Sequence, residues 1–253
     1  MPGGRKYLDL IAAVTENMGI GMRGDLPWSP KHLKIDFDFF QTITAAAAEG
    51  KQNVVIMGRK TWFSIPEKKR PLKNRINIVL SRELKCLPEG AHYLAPDLNS
   101  ALSLIDSTPA IQEKLDGVWI LGGGGVYKEA MEHSACRRLF ITRVLQTMEA
   151  DAFFPDIDAD KFKLLPGFPG VPEGMHENEG FRFHFEVYEA VDGKADAGPS
   201  ACSGMGRQLQ RCTLICAHPP EDKRQFAAGS FDVQSCHGAA AAFDHVIRLP
   251  TPV

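Results

Sequence analysis

Apolar positions along the chain fall into short runs separated by glycine, proline and charge. Tyr7–Thr15 (YLDLIAAVT), Asn53–Met57 (NVVIM), Ile76–Leu80 (INIVL) and Val118–Leu121 (VWIL) are nearly unbroken, as expected of strands buried on both faces of a parallel sheet. Leu139–Leu145, Phe162–Leu165 and Phe181–Ala190 read as later strands. The last alternates, with Phe181, Phe183, Phe185 and Val187 on one side and Arg182, His184, Glu186 and Tyr188 on the other. One face is therefore packed and the other partly exposed, and His184 is expected at the surface. Helical stretches are read at Leu98–Ile105, at VYKEAMEH from Val126, briefly at Arg59–Phe63 before Pro66, and in the half of Gly19–Gln41 that follows Trp28. Thr44–Gly50, which includes AAAA, supplies that helix's last turn and a loop.

Asp36 stands out in this pattern. With Asp36 at zero and about 100° per residue, Leu33 falls at about 60°, Phe40 at about 40° and Ile43 at about −20°. Asp38 falls at about 200°, near Lys34 and Gln41 on the polar face. A carboxylate facing a core is costly unless a polar group meets it, and desolvation raises its pKa. That fits a proton donor, an anchor for a partly buried ligand with paired N–H groups, or a capping or ion-paired Asp near the helix start.

The turns after the strands carry a second signal. Gly58 leads from a strand into Arg59-Lys60-Thr61, which sets backbone N–H groups and cations at a helix start, a setting suited to phosphate. Ile76–Leu80 delivers Ser81-Arg82, and Val118–Leu121 runs into Gly122–Gly125 before the helix. Three such turns at the carboxyl ends of three strands, read as preceding helices, argue for one dinucleotide laid across a mostly parallel sheet. The loop with Gly19, Gly21 and Gly24 permits positive φ and close approach of a flat ligand. It is no Rossmann pyrophosphate loop, because Pro27 and Pro30 intervene before the helix. The Walker pattern is absent, which excludes a P-loop NTPase. The run Lys68-Lys69-Arg70 reads mostly as a solvated loop.

Composition limits the partners. A formal charge of −2 spread over 253 residues suggests no nucleic-acid or membrane-surface partner. No apolar run is long enough to span a bilayer, and Asp9 interrupts the first one, unlike a secretory leader. The expectation is a soluble cytoplasmic protein with Cys86 and Cys136 reduced. After Val191 the texture changes: 25 of the last 63 residues are Ala, Gly, Pro or Ser and three are aromatic. This reads as a largely disordered extension over 191–253 with no catalytic role. Its Cys202, Cys212, Cys216, His218, Cys236 and His237 match no standard closed zinc spacing, so no metal is expected.

The stretches NMGIGMRGDLPW, KQNVVIMGRKTWFSIPEKKRPLKNRINIVLSRE, VWILGGGGVYKEAM and DAFFPDID together resemble the dihydrofolate reductase family in its animal form, in order, from about Leu8 to Glu189. The resemblance implies one α/β catalytic domain over residues 7–190, with a mostly parallel, mixed eight-stranded sheet flanked by about four helices. It also implies reduction of dihydrofolate, or folate, with NADPH by a monomer. Asp36 would take the place of the family's acid on the first helix, accepting hydrogen bonds from the pterin amino group and N3. Thr142 would support that site, while Trp28, Leu26, Ala13, Phe37 and Phe40 would line it. Gln41, Ser64, Ile65, Lys69 and Leu72 would complete the substrate site, and Arg75 would grip the α-carboxylate. For the cofactor the resemblance implies Ala13, Ile20, Gly21, Gly24, Asp25, Gly58, Arg59, Lys60, Thr61, Leu80, Ser81, Arg82, Glu83, Gly122, Gly123, Gly124, Gly125, Val126 and Tyr127. Within this set Arg59, Ser81 and Arg82 would surround the 2′-phosphate, and Gly122–Gly123 would be a cis peptide.

The chain also departs from the family. Trp28 to Asp36 is two residues longer than in vertebrate members. Lys69 stands where those members carry an Asn that contacts the benzoyl amide. Gly124 and Gly125 replace serines, which is expected to loosen the cofactor loop. Two other readings stay open: a reductase of the same fold acting on another pteridine or pyrimidine, and a non-enzymatic folate- or NADPH-binding protein.

Overall fold

A computed structural model describes residues 6–191; the expected disorder of the extension and its cysteines lie outside them, apart from Val191. In chain order the strands are β1 (Leu8–Thr15), β2 (Gly19–Gly21), β3 (Gln52–Gly58), β4 (Arg75–Leu80), β5 (Tyr93–Ala95), β6 (Leu115–Ile120), β7 (Cys136–Val144), β8 (Ala152–Phe153), β9 (Phe162–Leu164), β10 (His176–Asn178) and β11 (Phe181–Ala190). The helices are α1 (Lys34–Ala45), α2 (Arg59–Ser64), α3 (Leu98–Ser107), α4 (Pro109–Gln112) and α5 (Gly124–Glu132). Every strand expected from an apolar run is present. Five helices form where about four were expected, because α4 adds a single turn behind Pro109, whose ring pre-sets φ for a helix start.

Eight strands lie side by side in the order β10-β11-β7-β1-β6-β3-β4-β5, and the short β9 also pairs with β11. From β7 to β5 all neighbours are parallel, while β11 runs antiparallel to β7. A separate two-stranded ribbon joins β2 to β8. The parallel strands are buried on both faces because each face carries its own apolar layer. Leu8, Leu10, Val54, Ile56 and Ile78 pack with Leu98, Ile105 and Ala130 of α3 and α5. Their alternating neighbours Ile11, Val55, Met57 and Val79 pack with Phe39 of α1 and Trp62 of α2. Each such side chain contributes about 1.5–3 kcal/mol over its exposed state.

The phase of α1 decides where its acids point. Phe39 is buried and its ring centroid lies 4.6 Å from that of Phe185, so the sheet-facing stripe is centred closer to Phe39 than Leu33, Phe40 and Ile43 alone would place it. Leu33 is the residue before the helix and has no side-chain cap to offer. The cap comes from elsewhere in the fold: Lys34 N–H donates to Asn178 Oδ1 at 2.5 Å. This ties the start of α1, and with it Asp36, to the β10–β11 turn.

Three local expectations change. His184 is half-buried, with Nε2 2.9 Å from Glu186 Oε1, in a cluster where Arg143 and Tyr188 also bond Glu186. The face of β11 opposite its phenylalanines is therefore a shared ionic patch. No helix follows β4: Ser81 Oγ accepts from Glu83 and Leu84 N–H in a tight turn, and a helix begins only after β5. Arg70 leaves the solvated loop to lie over the Trp62 and Phe63 rings, because a guanidinium stacks on aromatic faces with little dehydration.

Candidate active site

Asp36 keeps an opening toward solvent, yet its carboxyl lies deep among α1, β7 and the α5 start. Desolvation raises its pKa from 3.8 to about 6, opposed by a hydrogen bond from Thr142. Thr142 is buried on β7. The buried Tyr127 of α5 is close enough to Asp36 for the acid to help raise the phenol's pKa, although burial is the larger cause. The Tyr127 hydroxyl donates to Ile11 O at 2.7 Å, which holds the ring between β1 and α5. Asp38 faces outward and pairs with Lys34. The two carboxylates therefore occupy opposite environments, as the helical phase predicts.

From Asp36 an aromatic wall runs along α1 to Arg75. The Phe37 and Phe40 ring centroids are 6.5 Å apart, and the Arg75 guanidinium carbon lies 5.9 Å from the Phe40 centroid. Arg75 is buried and bonds Lys73 O at 2.9 Å, Thr44 Oγ1 at 2.7 Å and Gln41 Oε1 at 2.8 Å. No carboxylate pairs with it among the described residues, and burial pulls its pKa down. Ile65 and Leu72 belong to the apolar cluster beneath α1 and α2, while Ser64 opens to the neighbouring cleft. Trp28 is buried against Leu33, Val144, Phe181 and Phe183, and its indole Nε1 has no hydrogen-bond partner among the described residues. Leu26 remains 43% exposed at the rim.

That cleft, with a volume of about 410 Å³, includes Ala13, Ile20, Gly21, Gly24, Leu26, Lys60, Thr61, Ser64, Gly123 and Tyr127 in its lining. It lies at the carboxyl ends of β1, β3 and β6. Gly58 N–H donates to Gly122 O at 2.7 Å, and the Gly122–Gly123 peptide is cis. Gly122 has φ +96°, and a Cβ there would lie 2.7 Å from the Tyr127 ring, so the residue admits no side chain. Of the loop glycines only Gly24 has positive φ; Gly19 is required because a Cβ would meet Ala150 at 2.6 Å and Thr15 Oγ1 at 2.8 Å. Asp25 fastens the loop by accepting from Leu26 N–H at 2.8 Å and Ser29 Oγ at 2.6 Å.

Farther along the sheet edge, Arg59 pairs with Glu83 at 2.8 Å, and Arg82 lies near Asp97. Both cations are close to the Ser81 turn, but each already has an acidic neighbour. The Leu80 side chain is buried in the core, which leaves only its backbone for a ligand. Val126 packs on the same core.

Sequence reasoning missed Ala12, Leu121, Asp151 and Ala152 in the cleft lining. Asp151 accepts from Arg23 N–H at 2.7 Å, and its own N–H donates to Gly21 O at 2.9 Å, so it shapes the glycine loop from the β8 side. The only signal for it was its place at the head of the DAFFPDID stretch.

Gly124 does not loosen its turn. A Cβ there would lie 2.6 Å from the backbone carbonyl oxygen of Phe153, whereas one at Gly125 would meet nothing within 4 Å. Gly125→Ala is expected to stabilise the protein by about 0.4–1 kcal/mol, by reducing unfolded-chain entropy at a helical position. Gly124→Ala is expected to destabilise it, because β8 must move. Urea denaturation of the two variants reads both signs.

A desolvated acid beside a cleft framed by glycine turns, at the carboxyl edge of a mostly parallel sheet, defines the class: an α/β protein with its ligand site outside the carboxyl ends of its strands, where sheets of this kind bind nucleotides and small planar molecules. Residues 7–190 match the family described as Dihydrofolate reductase. The chain is 60% identical to the dihydrofolate reductase of Bos taurus over 72% of this chain and 96% of that one. It is 58% identical to that of Mus musculus over 73% and 98%. The solved Schistosoma mansoni dihydrofolate reductase superposes with a TM-score of 0.65 at 40% identity, covering 74% of this chain and 99% of that chain. The chain belongs to the dihydrofolate reductase family.

Proposed function

We propose that this chain reduces 7,8-dihydrofolate to 5,6,7,8-tetrahydrofolate with NADPH. The observation that carries the reading is one aromatic wall with a desolvated acid at one end and an unpaired buried guanidinium at the other. A pterin with paired N–H donors suits Asp36, and a carboxylate tail suits Arg75. Arg75 has no comparable use for a substrate without a tail, which favours folate over another pteridine.

The cleft fits a dinucleotide cofactor. Gly123 lets its backbone approach closely, Lys60 and Thr61 stand at the start of α2, and Ala13 and Tyr127 form a side wall. Gly21, Gly24, Asp25 and Ile20 would cover the nicotinamide end, and Gly58 with Gly122–Val126 the diphosphate. Arg59, Ser81, Arg82 and Glu83 would meet the 2′-phosphate, with Arg59 released from Glu83. When bound, NADPH supplies the hydride that arrives at pterin C6.

The protein's own task is orientation and one proton. Asp36, held by Thr142, fixes the pterin through its amino group and N3, and Phe37 and Phe40 line the rest from the α1 side. This alignment lowers the entropic part of the barrier. The proton that balances the hydride is added at N5, and a carboxyl with a pKa raised to about 6 biases the pterin toward taking it. The reading includes a cytoplasmic monomer without a nucleic-acid partner, in keeping with the formal charge of −2. Among the described residues, no helix is long and apolar enough to cross a membrane.

Absorbance at 340 nm with the full chain tests the reading. NADPH oxidation is expected to depend on dihydrofolate and to be much slower with NADH. Equal turnover of dihydrofolate and a tail-less dihydropterin would move the assignment to another pteridine. No dihydrofolate-dependent oxidation would overturn it.

A further inference from the structure

The start of α1 has no cap of its own. Leu33, at the N-cap, carries no side-chain oxygen, and the first helical bond runs from Phe37 N–H to Leu33 O at 2.9 Å. Asp36 stands three residues after Leu33, where an acid commonly reaches back to the N-cap N–H and closes a capping box. Its carboxyl is instead turned inward and takes a hydrogen bond from Thr142. The acid that would serve the helix end is given to the site, and the helix end is served by another part of the chain.

That part is the β10–β11 hairpin. Asn178 pairs with Phe181 across it, and the two residues between them, Glu179 and Gly180, have φ +56° and +80°, as both central residues of a I′ turn must. The hairpin holds the chain leading into α1 at three points. Lys34 N–H donates to Asn178 Oδ1 at 2.5 Å, Lys31 Nζ donates to Glu179 O at 3.0 Å, and the Lys31 ammonium lies 4.8 Å from the Phe181 centroid. Trp28 and Leu33 pack with Phe181 and Phe183 beside them. Of the three contacts, the one from Asn178 reaches the helix itself, two residues before Asp36.

We infer that Asn178 is a positioning residue for the reaction: its amide oxygen fixes the first turn of α1 so that the Asp36 carboxyl stays against Thr142. The inference rests on the dihydrofolate reading above and deepens it. An N-cap oxygen satisfies an N–H that the helix leaves open, and without it the first turn frays. Fraying carries Asp36 toward water, which weakens its hold on the pterin and returns the carboxyl toward ordinary acidity. The titratable group that faces Asp36 from another element is the Tyr127 phenol of α5, and its bond to Ile11 O does not depend on the hairpin.

The test uses the full chain as wild type, Asn178→Ala and Asn178→Asp, the last of which keeps an acceptor oxygen in place. Carbon NMR of the aspartate carboxyls follows Asp36 without substrate, its signal being the one missing from Asp36→Asn. Asn178→Ala is expected to move the Asp36 titration from about 6 to lower pH while the other aspartates hold, and Asn178→Asp to leave it near the wild-type position. In NADPH oxidation at pH 7.5, Asn178→Ala is expected to lose about 3- to 10-fold in kcat/KM for dihydrofolate, the range of a single helix cap. KM for NADPH should be unchanged, the loss should narrow toward pH 5, and Asn178→Asp should restore the rate. Asn178→Gln, whose oxygen lies one carbon farther out, replaces Asn178→Ala if the alanine variant does not fold. A lowered thermal midpoint with an unmoved Asp36 titration, or equal losses in Asn178→Asp and Asn178→Ala, would overturn the assignment. Failure of the underlying reading looks different: the wild type would show no dihydrofolate-dependent oxidation, while the carboxyl titration would still report on the cap.

Discussion

Asp36→Asn is expected to slow hydride transfer about 10²- to 10⁴-fold, while Asp38→Asn leaves it nearly unchanged. The two acids are two residues apart, but only Asp36 is desolvated and bonded by Thr142; Asp38 makes an exposed ion pair with Lys34, an interaction of little energetic consequence. The amide keeps the shape and loses both the negative charge that meets the pterin N–H pair and the titration. With a folded pKa of about 6, the neutral carboxyl prevails below that pH. The wild-type chemical step should therefore fall as pH rises past it, and the Asn variant should lack that limb. Single-turnover rates between pH 5 and 8 read this directly. Equal losses at Asp36 and Asp38 would contradict the assignment.

The same shift has a consequence for stability, on which Asp36→Asn should act in the opposite sense from its effect on activity. An acid with a raised folded pKa binds its proton more tightly in the folded state. The ligand-free protein then loses stability as pH rises from about 4 to about 6, by at most about 3 kcal/mol, and by less where solvent reaches the cleft. Asp36→Asn removes that loss, so the inactive variant should be the more stable one in urea at pH 7.5, with the difference shrinking toward pH 4. The acid is kept at a cost to the empty fold, as expected of a site shaped for a ligand.

Much of this was legible in the residues, and what was not has physical causes. The parallel strands announce themselves because burial on both faces leaves unbroken apolar runs, as in NVVIM and INIVL. Asp36 was separable from Asp38 because helical phase is local. Short edge elements such as β5 and β10 carry three residues each, too few for a period to show. Asp151 acts through its side chain and backbone on a loop more than a hundred residues away, a relation that no local pattern encodes. The Asn178 cap on α1 escaped for the same reason. His184 looked like a surface residue because the alternation of β11 identifies a polar face without showing what lies beside it; Arg143, on the neighbouring strand, turns that face into a paired cluster. Gly124 appeared to be a loosening substitution, and only the nearby Phe153 carbonyl shows it to be a close fit.

Arg75→Leu is expected to raise KM for dihydrofolate about 10²-fold or more, with kcat within a few-fold and a tail-less dihydropterin unaffected. A charge-assisted hydrogen bond contributes about 1.5–3 kcal/mol, and a bidentate pair to one carboxylate loses two of them. The guanidinium is held in place by Thr44, Gln41 and the Lys73 carbonyl, so it is pre-set for its ligand, and the variant's loss is one of binding rather than of chemistry. A buried cation without an anion destabilises the empty fold, and burial already lowers its pKa. It stays protonated throughout the neutral range, so this contribution to stability should not vary with pH there, unlike that of Asp36. Leucine removes the unpaired charge but takes the donor away from Gln41 Oε1 and the buried Thr44 Oγ1, two opposing effects, so the thermal midpoint of the empty variant should differ little from wild type. The contrast should emerge on adding dihydrofolate. A ligand that binds only the folded state stabilises it by RT ln(1 + [L]/Kd). Wild type should therefore gain several degrees at a concentration that leaves Arg75→Leu unmoved. Equal thermal shifts in the two proteins would show that the tail does not reach Arg75, and would detach the aromatic wall on α1 from the substrate it is read to hold.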